Sequence, residues 1–261
     1  DQHAGGQAQD SGVRGLLPGG IWRVQRTACG HALGTAGCFS FDAEKTMGAD
    51  QGGCLVTNDG KIYERARFMG HNRAGEMVAH FGRVHSEIGH ALRMPHCTAA
   101  ICLAQLEFVR EQVTHRDKMA RLLYKLLADI PGITPLPLPA YMNVYSCWMI
   151  GFNLDADAFT CTTEEFAARL SDAGISGAGM GEYYLMPAAL TCLHKKIENK
   201  QFPYTVPPAS RAHSYSGDAC PNAKIFLKTF IRWSTFCEKY QPEHCELAAS
   251  IVRNVAETHA K

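Results

Sequence analysis

The chain has 261 residues, of which 46% are hydrophobic and 20% are charged, and its formal net charge is +1. A globular protein of this size can bury one sizeable core or two smaller ones. The near-neutral charge argues against a nucleic-acid-binding surface, and no apolar run approaches the about 20 residues that a membrane helix needs. The N-terminus has no basic flank followed by an apolar core, so we expect no secretory signal and a cytoplasmic location.

Eleven cysteines are scattered along the chain without a CxxC pair. A disulfide framework requires a secretory context, and a structural zinc site requires closely spaced ligands. We therefore expect reduced thiols that are mostly buried and pack as small hydrophobic side chains. The histidines between His71 and His96 also fit no standard zinc spacing, so we expect no metal site.

The first elements of the chain are a coil and a pair of strands. Residues 1–33 are rich in glycine and have neither strand nor helix periodicity, which predicts coil. Two apolar runs, Cys38–Phe41 and Cys54–Thr57, predict two strands. The turn between them contains Lys45, and the glycine pair Gly52-Gly53 allows the backbone to fold tightly before the second strand.

A helical segment dominates the middle of the chain. A short helix is predicted over Lys61–Phe68, followed by a loop over Met69–Met94. From Cys97 to Leu127 the pattern predicts one long helix, whose charged run Arg116–Lys118 is interpreted as a solvated face. Pro131-Gly132 ends that helix. Its predicted apolar face consists of Ile101, Ala104, Leu106, Val109, Val113, Leu122 and Leu126.

The second half of the chain predicts a small α/β domain. Pro135, Pro137 and Pro139 form an extended link, and residues 181–222 are interpreted as a loop. Thr162 and Glu165 have the spacing of a capping box, which predicts a helix that continues to about Ala173 and ends at Gly174. The other predicted elements are the strands Ser146–Leu154 and Phe230–Trp233, a short extended piece from Ile175 and a helix over Pro242–Glu257.

The stretch GCFSFDAEKTMGADQGGCLVTND, residues 37–59, closely resembles the cofactor-lysine motif of the DegT/DnrJ/EryC1/StrS aminotransferases. These pyridoxal-phosphate (PLP) enzymes aminate keto-sugars. The resemblance covers the chain from about Gly34 to the C-terminus. Weaker resemblances follow in the order expected for the family, at Gly89–Met94, Cys102–Leu106 with Arg116, Tyr145–Leu154, Gly181–Pro187 and Arg232-Trp233.

The resemblance assigns roles to five residues. Lys45 would form the Schiff base with PLP at rest and would then act as the general base for the proton shift. Ser40 would bind the cofactor phosphate through its hydroxyl. Arg93 occupies the position of a loop arginine near the active site of the neighbouring subunit, where it would bind phosphate or a carboxylate. Tyr183 and Tyr184 would line a sugar pocket.

The fold implied by the resemblance is an α/β fold-type-I PLP transferase. Residues 34–130 would be part of the large PLP-binding domain, and residues 131–261 the small C-terminal domain. The chain departs from the family pattern at Asp50-Gln51 and at Ala91. The phosphate-binding glycine-threonine turn, the aromatic side chain that stacks on the pyridine ring and the aspartate that pairs with its nitrogen cannot be assigned in residues 1–33. We therefore expect the C-terminal portion of such an enzyme, with its N-terminal segment missing or altered.

The activity implied by the resemblance is transfer of an amino group from glutamate or glutamine to a keto-sugar by a homodimer, and truncation would impair that activity. Two alternatives stay open. A non-catalytic dimeric relative would keep the fold without the chemistry. An unrelated lysine-dependent Schiff-base enzyme, such as an aldolase, would need a barrel-like alternation of strands and helices, which the sequence does not show.

Overall fold

A computed structural model describes most of the chain. It describes residues 35–70, 80, 89–181, 186–207, 209 and 215–261, together with short strand segments elsewhere. The chain divides into two compact units. The first comprises Asp1–Lys118 and Leu138–Trp148, and the second comprises Met119–Pro137 and Met149–Lys261. The boundary predicted between residues 130 and 131 stays a prediction.

The described part of the chain contains both strands and helices. The strands are β1 (Arg14–Gly15), β2 (Arg23–Val24), β3 (Thr27–Ala28), β4 (Ala36–Ser40), β5 (Gly53–Thr57), β6 (Glu76–Val78), β7 (Gly82–Val84), β8 (Ile133–Pro135), β9 (Met142–Val144), β10 (Ile150–Leu154), β11 (Ala178–Gly179) and β12 (Phe230–Trp233). The α-helices are α1 (Gly60–Gly70), α2 (His96–Leu106), α3 (Val109–Leu127), α4 (Thr163–Asp172), α5 (Met186–Ala189), α6 (Thr191–Glu198), α7 (Pro221–Thr229) and α8 (Pro242–Thr258). None of these helices is long and apolar enough to cross a membrane.

The predicted strand pair before and after Lys45 is confirmed as β4 and β5, which run antiparallel with Cys38 opposite Leu55. Gly53 lies opposite Ser40 in this ladder. A Cβ atom at Gly53 would lie 2.6 Å from the carbonyl oxygen of Phe39, so only glycine fits there without displacing backbone. The strands β1, β2 and β3 correct the prediction that residues 1–33 are coil: β1 pairs with β4 in parallel, and β2 pairs with β3 and β9.

The segment predicted as a loop over Met69–Met94 contains a short hairpin. Its strands β6 and β7 pair antiparallel, with Glu76 opposite Val84. Three-residue strands carry too little alternation to be recognised in a sequence, which explains the error. The helix predicted before this segment, over Lys61–Phe68, is confirmed as α1. The carboxylate of Asp59 accepts a hydrogen bond from the backbone N–H of Lys61 at 2.8 Å and so caps this helix.

The long helix predicted over Cys97–Leu127 is two helices, α2 and α3, separated at residues 107–108. The backbone N–H of Phe108 donates to the Gln105 carbonyl at 3.1 Å, which tightens the end of α2. The break shifts the phase of the apolar pattern. Ile101 and Leu106, predicted to be on the buried face, are therefore 47% and 52% exposed, whereas Val113 is buried.

The second unit is built on an antiparallel sheet with the strand order β11-β12-β10-β8. Alternate residues of β10 (Ile150, Phe152 and Leu154) are buried, as the period of a strand requires. Helix α4 packs against both β12 and α8. Its predicted capping box is confirmed, since Thr162 Oγ1 accepts from the Glu165 N–H at 3.2 Å and Glu165 accepts from the Thr162 N–H at 2.8 Å.

Of the other predictions for the second half of the chain, some are confirmed and some are wrong. The strand β12 and the helix α8 are confirmed. The strand predicted from Ser146 begins only at Ile150, and the extended piece predicted from Ile175 begins at Ala178. The loop predicted over residues 181–222 is wrong, because it contains α5 and α6 and the start of α7. Pro221 at the first position of α7 was a sequence signal for that helix.

Candidate functional site

The turn that carries Lys45 is held by its own backbone. The N–H of Phe41 donates to the Gly52 carbonyl at 2.9 Å, and the N–H of Ala49 donates to the Phe41 carbonyl at 2.8 Å. Inside this frame the N–H of Lys45 donates to the Asp42 carbonyl at 2.9 Å. Gly52 has a φ of +129°, a conformation that side chains rarely adopt. The predicted role of the glycine pair is therefore confirmed, and Lys45 lies on a closed, well-defined turn.

Helix α2 packs against this turn. Phe41, Ala49 and Cys102 form a buried cluster, against which Phe39, Met47 and Met94 pack. The amide Nε2 of Gln105 donates to the carbonyl of Gly48 at 2.5 Å. Because the contacts come from both the apolar cluster and a side-chain hydrogen bond, the turn is fixed to the helix rather than projecting freely.

The amine of Lys45 lies between an aromatic ring and a carboxylate. Its Nζ atom is 4.4 Å from the centroid of the Trp148 ring and 4.0 Å from Oδ2 of Asp42. The Lys45 side chain is only 13% exposed, whereas that of Asp42 is 56% exposed. An ion pair with so exposed a partner contributes about 0–1 kcal/mol, and a cation–π contact contributes a similar amount. Neither contact is strong. The low exposure of the Lys45 side chain comes from its packing against the ring and the turn.

The charged run Arg116–Lys118 is not the solvated face that the sequence predicted. The Arg116 side chain is buried, and its Nη1 atom donates to Thr46 Oγ1 at 3.0 Å and to the Cys147 carbonyl at 2.8 Å. Asp117 accepts from the N–H of Tyr145 at 2.8 Å. Of the three, only Lys118 is exposed.

A sequence signal for the burial of Arg116 existed but was missed. Arg116 lies in a stripe of α3 in which buried residues recur every three or four positions, as on the inward face of a helix. The stripe consists of Val109, Val113, Arg116, Ala120, Leu123 and Leu127. A charged residue at such a position needs hydrogen-bond partners, and two oxygen acceptors on other elements bind the Nη1 atom of Arg116.

The Cys147 thiol lies beside this guanidinium. Burial raises the pKa of Cys147 to about 12, and this effect outweighs that of Arg116, which acts in the opposite direction. A thiol with so high a pKa is protonated at physiological pH and is a poor nucleophile. Cys147 is therefore a packing residue of the site.

The other predicted site residues are placed unevenly. Ser40 ends β4, is exposed and accepts a hydrogen bond from the Asp42 N–H at 3.3 Å. It therefore belongs to the same strand and turn as Lys45. Arg93 is exposed on a segment without regular structure that is joined to the end of α1, where the N–H of Leu92 donates to the Gly70 carbonyl at 2.8 Å. Tyr183 and Tyr184 lie outside the described residues.

The residues present fit the lysine end of a PLP site. A primary amine held in a partly dry turn suits condensation with an aldehyde. The exposed hydroxyl of Ser40 on the preceding strand is free of steric cover and can donate to a phosphate oxygen. Within the described part of the chain, no group of three or more histidine, cysteine, aspartate or glutamate side chains could hold a metal ion.

Comparison with known proteins identifies the family. The model of the DegT/DnrJ/EryC1/StrS aminotransferase family matches residues 22–214, and so begins earlier than Gly34. The chain is 34% identical over 123 residues to the putative pyridoxal phosphate-dependent aminotransferase EpsN of Bacillus subtilis (strain 168), covering 47% of this chain and 31% of that protein. It is 34% identical over 124 residues to the GDP-perosamine synthase of Escherichia coli O157:H7, covering 46% and 32%.

Solved structures share the fold. The structure of the aminotransferase TlmJ from Streptoalloteichus hindustanus superposes with a TM-score of 0.64 at 21% identity, covering 91% of this chain and 56% of that one. The structure of 3-amino-5-hydroxybenzoic acid synthase superposes with a TM-score of 0.64 at 22% identity, covering 91% and 58%. The predicted α/β fold of type I is thus confirmed. The chain spans about a third of these curated relatives and little more than half of these solved chains. It belongs to the DegT/DnrJ/EryC1/StrS aminotransferase family.

Proposed function

We propose that this chain carries the reactive lysine of a PLP-dependent aminotransferase that transfers an amino group from glutamate or glutamine to a keto-sugar. The observation that supports this most strongly is the shielded amine of Lys45, 4.4 Å from the Trp148 ring, on a turn within the family match. The names of the relatives agree, since one is a putative pyridoxal phosphate-dependent aminotransferase and another a GDP-perosamine synthase.

PLP, when bound, supplies an electrophilic carbon and a ring that accepts electrons. Lys45 would hold the cofactor through Nζ and, once the amino substrate has taken its place, would accept and return a proton with the same atom. Trp148, whose ring centroid is 4.4 Å from that atom, and the turn would limit the access of water to it. Ser40 would donate its hydroxyl to a phosphate oxygen, and Arg93 would bind phosphate or a substrate carboxylate through its guanidinium.

The remaining parts of the proposal concern the assembly and the substrate. We propose a cytoplasmic homodimer, in which Arg93 reaches the site of the neighbouring subunit. Tyr183 and Tyr184 would line the pocket for the sugar. Because the chain spans only part of its relatives, the activity is proposed for the protein to which this chain belongs.

The first test is cofactor trapping on Lys45. Purified protein is mixed with PLP, its visible absorbance is recorded, and borohydride then fixes any bound cofactor for peptide mass spectrometry. We expect a pyridoxyl label on the Lys45 peptide, no label at that position in Lys45→Ala, and a loss of aminotransferase activity of about 100-fold or more. Lys61→Ala, which removes an exposed lysine of α1, is the matched control and should behave as wild type.

The outcomes separate the proposal from its main alternative. If Lys45→Ala binds PLP and reacts as wild type does, the assignment of Lys45 is wrong. If the wild-type protein takes up no PLP at all, the non-catalytic dimeric relative is the better description. The chain departs from the family pattern at Asp50-Gln51 and at Ala91, and these departures favour that alternative.

A further inference from the structure

Arg116 connects Thr46, the neighbour of Lys45, with Cys147, the neighbour of Trp148. Its Nη1 atom donates at 3.0 Å to the hydroxyl of Thr46, the residue after Lys45. The same atom donates at 2.8 Å to the carbonyl of Cys147, which belongs to the peptide unit that joins Cys147 to Trp148. A guanidinium Nη atom carries two hydrogens, so one atom serves both acceptors.

The next residue of α3 strengthens the connection. Asp117 accepts a hydrogen bond from the N–H of Tyr145 at 2.8 Å, two residues before Cys147. Two successive side chains of one helix therefore hold the segment Tyr145–Trp148. Arg116, Thr46 and Cys147 are all buried, which protects these hydrogen bonds from competition by water.

We propose that Arg116 is a positioning residue that holds the Lys45 turn next to the Trp148 segment, so that the amine stays against the ring. This role differs from cofactor binding, because Arg116 acts through its hydrogen bonds to Thr46 and Cys147. The inference rests on the proposed function only in taking Lys45 as the reactive amine. When either hydrogen bond is removed, the two segments can move apart and Lys45 becomes accessible to solvent.

The test measures the accessibility of Lys45 in the absence of PLP. The protein is labelled with a trace of acetic anhydride, and mass spectrometry gives the ratio of labelling at Lys45 to that at Lys118, an exposed lysine of α3. Thr46→Val removes the hydroxyl with little change of shape, and Thr46→Ser keeps it. We expect the ratio to rise about two- to fivefold in Thr46→Val, the size expected for loss of a cation–π contact. In Thr46→Ser it should not change.

A second pair of variants tests the arginine directly. Arg116→Met removes the donors, whereas Arg116→Lys keeps a donor group on a long side chain. We expect a raised Lys45 ratio in Arg116→Met and partial restoration in Arg116→Lys. Thermal unfolding followed by circular dichroism is recorded for all variants, and labelling is carried out well below the transition. A purely structural role would lower the transition temperature and leave the ratio unchanged.

The results distinguish this proposal from the proposed function. A wild-type labelling ratio in folded Thr46→Val and in folded Arg116→Met would overturn the positioning role. The labelling does not involve PLP, so it gives an answer even if the wild-type protein fails to bind the cofactor, which would count against the aminotransferase alone. If Arg116→Met does not fold, the isosteric Thr46→Val and its serine control decide the question.

Discussion

Cys147 illustrates at the scale of a residue how burial and charge compete at this site. The guanidinium of Arg116 favours the thiolate, yet burial opposes it more strongly and raises the pKa of Cys147 to about 12. The prediction that the cysteines are mostly buried is wrong, because only four of the ten described cysteines are buried (Cys102, Cys147, Cys161 and Cys245), while the others are half-buried or exposed. The ten described cysteines are free thiols, so their environments alone decide how they react.

Alkylation should therefore discriminate between the cysteines. At pH 8 a thiol with a pKa of about 12 has a thiolate fraction of about 10⁻⁴, so iodoacetamide should modify exposed Cys97 readily and leave Cys147 unmodified. Peptide mass spectrometry over a time course gives both rates in one sample. Comparable rates for Cys97 and Cys147 would show that the thiol of Cys147 is accessible and ionised.

The same pKa has a consequence for stability. The folded-state pKa of Cys147, about 12, lies above its ordinary value of 9.0. Below pH 9 the thiol is neutral in both the folded and the unfolded chain, so it does not change the free energy of unfolding. Between pH 9 and 12 the unfolded chain loses the proton more easily, so the free energy of unfolding falls as the pH rises. Cys245, whose pKa burial raises to about 11, acts in the same direction.

At the scale of an element, the start of helix α4 is specified by the four adjacent residues 162–165. Thr162 and Glu165 exchange hydrogen bonds with each other's backbone N–H groups. The Thr162 backbone N–H and then its hydroxyl lower the pKa of Glu165. This cap is local, so it could be read from the sequence. The break between α2 and α3 could not, because no proline or glycine marks residues 107–108.

Removal of the cap should destabilise the protein measurably. Thr162→Val loses the hydroxyl that accepts from the Glu165 N–H, and we expect the free energy of unfolding to fall by about 1 kcal/mol. Urea denaturation at pH 7 measures it. Thr162→Ser keeps the acceptor and should stay within a few tenths of a kcal/mol of wild type. A loss in Thr162→Ser without a loss in Thr162→Val would mean that packing of the methyl group, and not the cap, is responsible.

At the scale of the whole molecule, the first unit leaves an apolar surface on α2 and next to it. Its exposed side chains include Leu92 at 75%, Leu103 at 65% and Phe108 at 55%, together with Ile101 and Leu106. Several large apolar side chains exposed on and beside one helix are typical of an interface. It agrees with the proposed homodimer, in which a second copy would cover it.

This leads to a prediction on oligomeric state. Sedimentation velocity of the purified chain at micromolar concentration should show a dimer, and Leu103→Glu should shift it to monomer because a carboxylate would be buried without a partner. Leu247→Glu is the matched control, since Leu247 is 60% exposed but lies on α8 in the second unit. A monomeric wild type, or equal effects of the two variants, would contradict a dimer through α2.

Those parts of the protein that depend only on neighbouring residues could be predicted from the amino-acid sequence. These include the strands and glycine turn around Lys45, the cap of α4 and the bounds of β12. The contacts of Arg116 could not be predicted in this way, because its acceptors lie 70 and 31 residues away in the chain. A pattern of adjacent residues shows that a helix has a buried face, but which distant oxygen atoms meet a charge on that face depends on how the elements pack.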